Sequence, residues 1–327
     1  MTRVAVVLGA GGITGIAWML GALDAIRERS GWDPATADVI SGTSAGAVAG
    51  AVLAARVPAS RLLAMSEDQQ LLDAAIARAT GGLPARRRLP RAWPGSLALA
   101  LTGLAASDPR HRVASLIGFV PRGFKAGDEI RGLTHDAVKH GWPRHTRLLI
   151  HACDYQTGRR VTFGATDAPH ASLADAVVAS AAVPGYYRPV HIDGRDYIDG
   201  GLISMTNADS VADERPDVVL CLSPFSSRAI GSKADAVLLG PLRRAAAWHL
   251  DREIAELRAR GSRVVVIEPT SDDLRAMGSN MMSRARSRAV LETARVTVTA
   301  RAGRLLEGVA SPRSQATVPA WQRARAA

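Results

Sequence analysis

Ser41-Gly42-Thr43-Ser44-Ala45-Gly46 follows directly on the run Ala37-Asp38-Val39-Ile40. A serine with a glycine two positions away on each side, set between a strand and a helix, has the pattern of a nucleophile elbow. The turn is so sharp that the serine must take strained backbone angles, and side chains at the flanking positions would clash. The next residues, Ala45 to Arg56, are nearly all small or apolar, as suits a helix packed closely on a sheet. The pattern therefore predicts a sheet that raises Ser44 at its edge, with a helix N-terminus behind it. An ordinary Gly- and Ser-rich loop would carry the same residues, so the rest of the chain has to decide.

Upstream, Arg3 to Leu8 reads as a buried strand. Gly9-Ala10-Gly11-Gly12-Ile13-Thr14-Gly15 reads as a glycine loop opening a helix to about Arg29, with Trp18, Leu20, Leu23 and Ile26 facing inward. Strand, glycine turn, helix, strand, elbow and helix together predict α/β packing with parallel neighbouring strands. Val4 to Leu23 carries no charged residue, which is long enough to resemble a membrane span. Its glycines argue instead for a buried strand, a turn and a core helix, and no secretion signal is found.

Further strands are expected at 147–152, 160–163, 190–192, 217–222 and 264–267. Helices are expected at about 173–181, 234–260 and 283–308. Between about Gly81 and Gly127 the character changes: a basic, proline-punctuated stretch (Arg86, Arg87, Arg88, Arg91), an apolar run from Trp93 to Ala106, then Arg110, His111 and Arg112. This reads as an insertion or lid, with a core-packed helix beside a solvated arginine loop as the plain alternative. Residues 1–310 are expected to form one domain, and 311–327 a poorly ordered tail.

The 327-residue chain is 47% hydrophobic and 22% charged, ordinary for a globular protein. Cys153 and Cys221 sit in apolar runs and read as buried thiols, which points to a reducing, cytoplasmic compartment. The net charge of +11 rests largely on arginine and favours anionic partners such as a membrane surface touched peripherally. No dense basic tract with interleaved aromatics is present, so nucleic acid is not expected as a partner.

A serine hydroxyl needs a base, and acyl chemistry needs donors for an oxyanion. The backbone N–H groups of Gly11 and Gly12, at a helix N-terminus, could supply the donors. The same glycines could bind a dinucleotide, but Gly9-x-Gly11-x-x-x-Gly15 misses the strict spacing, and Asp33 lies in a turn rather than at a strand end. A Ser-His-Asp triad would need a histidine in a loop after a strand. His151, His170, His191 and His249 each read as lying within a strand or helix. One carboxylate stands out instead: Asp199, at a strand end before Gly200 and Gly201. No His/Cys/Asp cluster has metal-ligand spacing, and no cofactor is implied.

The glycine loop, Gly42-Thr43-Ser44-Ala45-Gly46, the block Ala179-Ser180-Ala181-Ala182-Val183-Pro184 leading into Tyr187-Arg188-Pro189-Val190, and Asp199-Gly200-Gly201 resemble, in this order, the motifs of patatin-like phospholipases. The resemblance covers roughly residues 3 to 206. It implies a three-layer α/β/α fold with a central, mostly parallel sheet and a nucleophile elbow. It implies a lipid acyl hydrolase with Ser44 as nucleophile, Asp199 as proton acceptor, and an oxyanion hole of Gly11, Gly12 and Ala45. Gly15, Gly42, Gly46, Gly200 and Gly201 are the motif glycines. Aligned on Gly15, the chain departs from the family's usual loop by carrying Ala10 for a glycine and Thr14 for a basic residue. A histidine-triad esterase, an acyltransferase using the same serine, and a membrane-binding module with a dead site are the rival readings.

Overall fold

β1 (Val4–Leu8) is apolar at all five positions because both of its faces are covered. Val6 and Leu8 enter one apolar cluster, while Ala5 and Val7 enter another on the opposite side. Two-faced burial of this kind is the mark of a parallel central strand. The computed structural model describes residues 2–68, 73–77, 95–104, 115–138 and 141–305.

The other strands are β2 (Val39–Thr43), β3 (Arg147–Asp154), β4 (Arg160–Phe163), β5 (Val190–Ile192), β6 (Arg195–Asp199), β7 (Val218–Leu222) and β8 (Arg263–Ile267). They form one sheet in the order β5-β6-β3-β2-β1-β7-β8, with β4 also paired to β3. β3, β2, β1, β7 and β8 run parallel, whereas β4 and β6 lie antiparallel to β3, and β5 antiparallel to β6.

The helices are α1 (Gly12–Ser30), α2 (Ala45–Ala54), α3 (Ala59–Glu67), α4 (Leu97–Leu104), α5 (Asp128–Ala137), α6 (Leu173–Ser180), α7 (Lys233–Leu238), α8 (Gly240–Ala259), α9 (Ser271–Met277) and α10 (Ser287–Leu305). α1, α2, α6, α9 and α10 bury side chains in the larger cluster on one face of the sheet. α8 and the 3₁₀ turn Ala208–Glu214 cover the other face, through Leu250, Ile254, Leu257, Ala208 and Val211. This is the three-layer α/β/α sandwich expected from the sequence. α10 packs along α1: Val290, Ala294 and Val298 recur every fourth residue and are fully buried.

Some boundaries differ from the sequence reading. β2 continues past Ile40 to Thr43, because β1 pairs with it as far as Gly42 and β3 as far as Thr43. The expected helix at 234–260 is two helices, α7 and α8, with Pro241 in the first turn of the second, where a missing N–H costs nothing. His170 lies in the loop before α6, not in a strand or helix, and is exposed. α3, α5 and α9 have no counterpart in the sequence reading. The stretch 81–91, Trp93, the patch 110–112 and the tail 311–327 lie outside the described residues.

The charge-free stretch Val4 to Leu23 is divided among β1, a turn and α1. Among the described residues no helix is long and apolar enough to cross a membrane. Cys153 and Cys221 are both buried and free.

Candidate active site

The parallel strands end together, and Ser44 sits where β2 turns into α2. Its backbone angles are φ 55° and ψ −116°, a conformation residues with a Cβ rarely adopt and one that costs about 1–3 kcal/mol. Neighbouring bonds hold it there. Ser44 N–H donates to Ser180 Oγ (2.9 Å), and the Ser180 hydroxyl donates in turn to the His151 carbonyl on β3 (2.6 Å). The two motif glycines admit the close packing of this turn. A Cβ on Gly46 would press into the Leu8 carbonyl of β1, and one on Gly42 into the Gly46 carbonyl.

Register delivers Asp199 to the same place. β3 pairs with β2 as far as Thr43 opposite His151, then runs three residues further. Over that extension it pairs with β6, which places Asp199 opposite Ala152, one step beyond the end of β2. The Ser44 hydroxyl donates to Asp199 Oδ2 at 2.7 Å. Gly201 N–H donates to the other carboxylate oxygen, Oδ1, at 2.7 Å. Gly200 lies so close to the His151 carbonyl that a side chain there would displace β3. Ser44 and Asp199 are 7% and 6% exposed. Burial raises the Asp199 carboxyl from 3.8 to about 6, against the lowering effect of its bonds from Ser44 and Gly201.

The glycine loop lies on the neighbouring strand, since Leu8 is opposite Gly42. Ala10 N–H is spent on the Met205 carbonyl (2.7 Å) and Thr14 N–H on the Met281 carbonyl (3.1 Å). Among the described residues the amides of Gly11, Gly12 and Ala45 have no acceptor. They open α1 and α2, two helix N-termini that favour negative charge near them. Gly11 packs against Pro224, and Gly12 (φ 65°) against the Met281 carbonyl, each too closely for a Cβ. Gly15 N–H bonds the Gly11 carbonyl (3.0 Å). Thr14, where the resemblance leads one to look for a cation, is fully buried, and its hydroxyl also reaches the Met281 carbonyl (3.4 Å).

A cavity of about 100 Å³ opens from this point, walled by Gly12, Ser44 and Ala45 at one end and by Ile16, Leu20, Val48, Leu62, Ile130 and Leu133 elsewhere. Its wall is almost wholly apolar. The charged exceptions are Glu129 and Arg284, paired to one another at 2.6 Å.

No histidine joins Ser44 among the described residues. The His151 ring is fully buried and ringed by hydroxyls: Ser41 Oγ (2.8 Å) and Ser210 Oγ (3.0 Å) at Nε2, Thr162 Oγ1 (3.1 Å) at Nδ1. Burial pushes it down to about 3, so it stays neutral. His191 pairs with Asp196 on the outer strands, and His249 lies on α8 against Trp248.

Sequence reasoning misses two supporting residues. Ser180, within the 179–184 block, bridges the elbow to β3. Asn207 stands in the left-handed region (φ 48°) and donates to Thr43 Oγ1 (3.1 Å) and the Ser204 carbonyl (2.8 Å), tying the end of β2 to the turn after Asp199. An asparagine's tolerance of positive φ is the signal that could have found it.

The family model for patatin-like phospholipase matches residues 6–212, from β1 through the turn that follows Asp199. The chain belongs to the patatin-like phospholipase family. Two solved structures are similar to it. The type III effector protein ExoU shares 18% identity over 93% of this chain and 53% of its own, with a TM-score of 0.38. VipD from Legionella pneumophila shares 16% identity over 89% of this chain and 67% of its own, with a TM-score of 0.36. The chain thus spans about half the length of the ExoU chain.

Proposed function

We propose that this patatin-like protein cleaves carboxylic esters of lipids through a Ser44–Asp199 dyad and a covalent acyl-enzyme. The observation that carries the reading is the 2.7 Å bond from the Ser44 hydroxyl to Asp199 Oδ2. In the first half-reaction Asp199 accepts the hydroxyl proton as Ser44 Oγ attacks the ester carbonyl. The oxyanion forms beside the free amides of Gly12, Gly11 and Ala45, and loss of one such donor typically costs ~10²–10³ in rate. The tetrahedral intermediate collapses, the leaving alcohol takes the proton from Asp199, and the acyl chain remains on Ser44. Water then attacks the acyl carbonyl with Asp199 again as base, restoring the serine.

The apolar cavity beside Ser44 suits an acyl chain, and the Gly201 N–H bond fixes the carboxylate so that Oδ2 faces the serine. The hydroxyls around the His151 ring leave it no path to Ser44 Oγ, which speaks against a histidine triad. A peripheral contact with an anionic membrane surface follows from the same substrate class.

A lipid-ester panel assayed with wild type, Ser44→Ala, Asp199→Asn and His249→Ala tests the proposal. Loss of hydrolysis in the first two variants, with His249→Ala active and a fluorophosphonate probe labelling Ser44, is the expected result. Hydrolysis that survives both Ser44→Ala and Asp199→Asn would sink the dyad.

A further inference from the structure

Five large apolar side chains stand out of one short surface segment: Ile230 (63% exposed), Val237 (76%), Leu238 (63%), Leu242 (57%) and Trp248 (55%). Scattered exposed apolar residues are ordinary, but a concentration of them marks a contact surface. This corner is rigidly built. Arg243, 1% exposed, donates through Nε and one terminal nitrogen to Asp235 Oδ1 (3.3 Å each), and through the other to the carbonyls of Pro224 (3.3 Å) and Phe225 (3.1 Å). A buried ion pair therefore clamps α7 onto α8 while Val237, Leu238 and Leu242 point to solvent.

The corner lies at the edge of the sheet that carries Ser44. α8 descends from the carboxyl end of β7 to the start of β8, and these strands are parallel, so its apolar first turns stand at the carboxyl edge. The connection is direct, because Pro224, held by Arg243, packs against Gly11. At the cavity, Val183 and Met282 are also partly bare, at 41% and 37% exposed.

The exposed charges on this corner that lack a partner among the described residues are of one sign. Lys233, Arg244 and Arg252 are exposed, and none has a carboxylate partner among the described residues; Arg252 lies over the Trp248 ring at 5.1 Å. Asp235 and Glu253 are buried, and Asp251 is paired with Arg228. A second copy of the chain packed on this face by a two-fold axis would set the cations against one another. An anionic lipid surface instead offers each cation a phosphate and the apolar side chains an acyl boundary.

We infer that α7 and the first turns of α8 form the surface by which the protein docks on anionic bilayers. Docking there sets the Ser44 edge of the sheet against the lipid. The orientation rests on the lipid-ester reading above; the binding surface itself does not.

Sedimentation with phosphatidylcholine vesicles, with and without phosphatidylglycerol, tests the inference on wild type, Ser44→Ala, Val237→Glu/Leu242→Glu and Lys233→Glu/Arg244→Glu. Wild type and Ser44→Ala are expected to bind the anionic vesicles alike and pure phosphatidylcholine far less. Each double variant should lose at least about tenfold in partitioning while turning over a soluble short-chain ester as wild type does. Wild type that ignores the vesicles, or double variants that bind undiminished, would overturn the inference. So would a dimer in sedimentation velocity that Val237→Glu/Leu242→Glu dissolves without loss of vesicle binding, which would assign the corner to a second copy. Vesicle binding by a wild type without esterase activity would instead remove the hydrolase reading and leave the docking surface.

Discussion

Ser44 Oγ donates to one oxygen of Asp199 while Gly201 N–H occupies the other, both at 2.7 Å. The carboxylate is thus oriented by backbone and aimed at a single hydroxyl, yet burial makes its ionised form costly.

That cost gives a pH dependence. Burial lifts the Asp199 carboxyl from 3.8 to about 6, and only the ionised form can act as base. The kcat/KM of ester hydrolysis should therefore rise with pH through about 6 and level off above it. Stability should move the opposite way. Between about pH 4 and 6 the folded protein holds this proton more tightly than the unfolded chain does, so Asp199 favours folding below that window and opposes it above. Full ionisation costs about 2–3 kcal/mol. Asp199→Asn should accordingly lose ~10²–10⁴ in rate and, at pH 8, unfold at an equal or higher temperature than wild type. A clear fall in its Tm at pH 8 would contradict this account.

The strained serine yields a second expectation. Ser44 at φ 55° and ψ −116° keeps its strain in Ser44→Ala, which retains Cβ, and sheds most of it in Ser44→Gly. Relief of about 1–3 kcal/mol exceeds the roughly 0.5–1 kcal/mol that glycine costs in chain entropy. Urea denaturation should rank Ser44→Gly above Ser44→Ala by about 1 kcal/mol, with neither variant hydrolysing ester. Equal midpoints would mean that the turn is unstrained in solution.

The features legible in the sequence are those with a local cause. β1 is a five-residue apolar run, the elbow is spelled by two glycines that sterics demand, and Asp199 is marked by the glycines after it. What escapes depends on residues far apart in the chain. Ser180 matters because β3 brings its acceptor, the His151 carbonyl, beneath the elbow. The Arg243–Asp235 clamp is invisible because neither residue looks buried in the sequence, and only the folding of α7 back on α8 removes both from water. His151 reads correctly as a strand residue, but its hydroxyl ring comes from β2, β4 and the 208–214 turn, which no single stretch of sequence displays.

Gly46 and Gly50 share one face of α2 and should respond oppositely to alanine. A Cβ on Gly46 would collide with the Leu8 carbonyl, backbone that cannot yield without parting α2 from β1. On Gly50 the closest atom is Ile40 Cγ2 at 3.3 Å, a side-chain methyl that can shift. Alanine also gains about 1 kcal/mol over glycine within a helix. Gly50→Ala should therefore fold with a Tm within a few degrees of wild type, whereas Gly46→Ala should lose several kcal/mol or fail to fold. Thermal melts followed by circular dichroism distinguish the two, and a well-folded Gly46→Ala would refute the close β1–α2 packing.

The cavity beside Ser44 should set chain-length preference. Ile16, from the second turn of α1, lines it together with Val48 and Leu133, and a tryptophan at position 16 would fill the space an acyl chain needs. Each methylene excluded from an apolar pocket is worth roughly 10–200-fold in discrimination. Ile16→Trp should lower kcat/KM for octanoyl and longer esters by at least about tenfold. Acetyl and butyryl esters, which reach little beyond the reacting carbonyl, should change by no more than about threefold. The comparison within one variant separates occupancy from damage. If the introduced indole instead displaces Gly12 and its amide, every chain length should lose rate together, because the proposed oxyanion donor would serve them all.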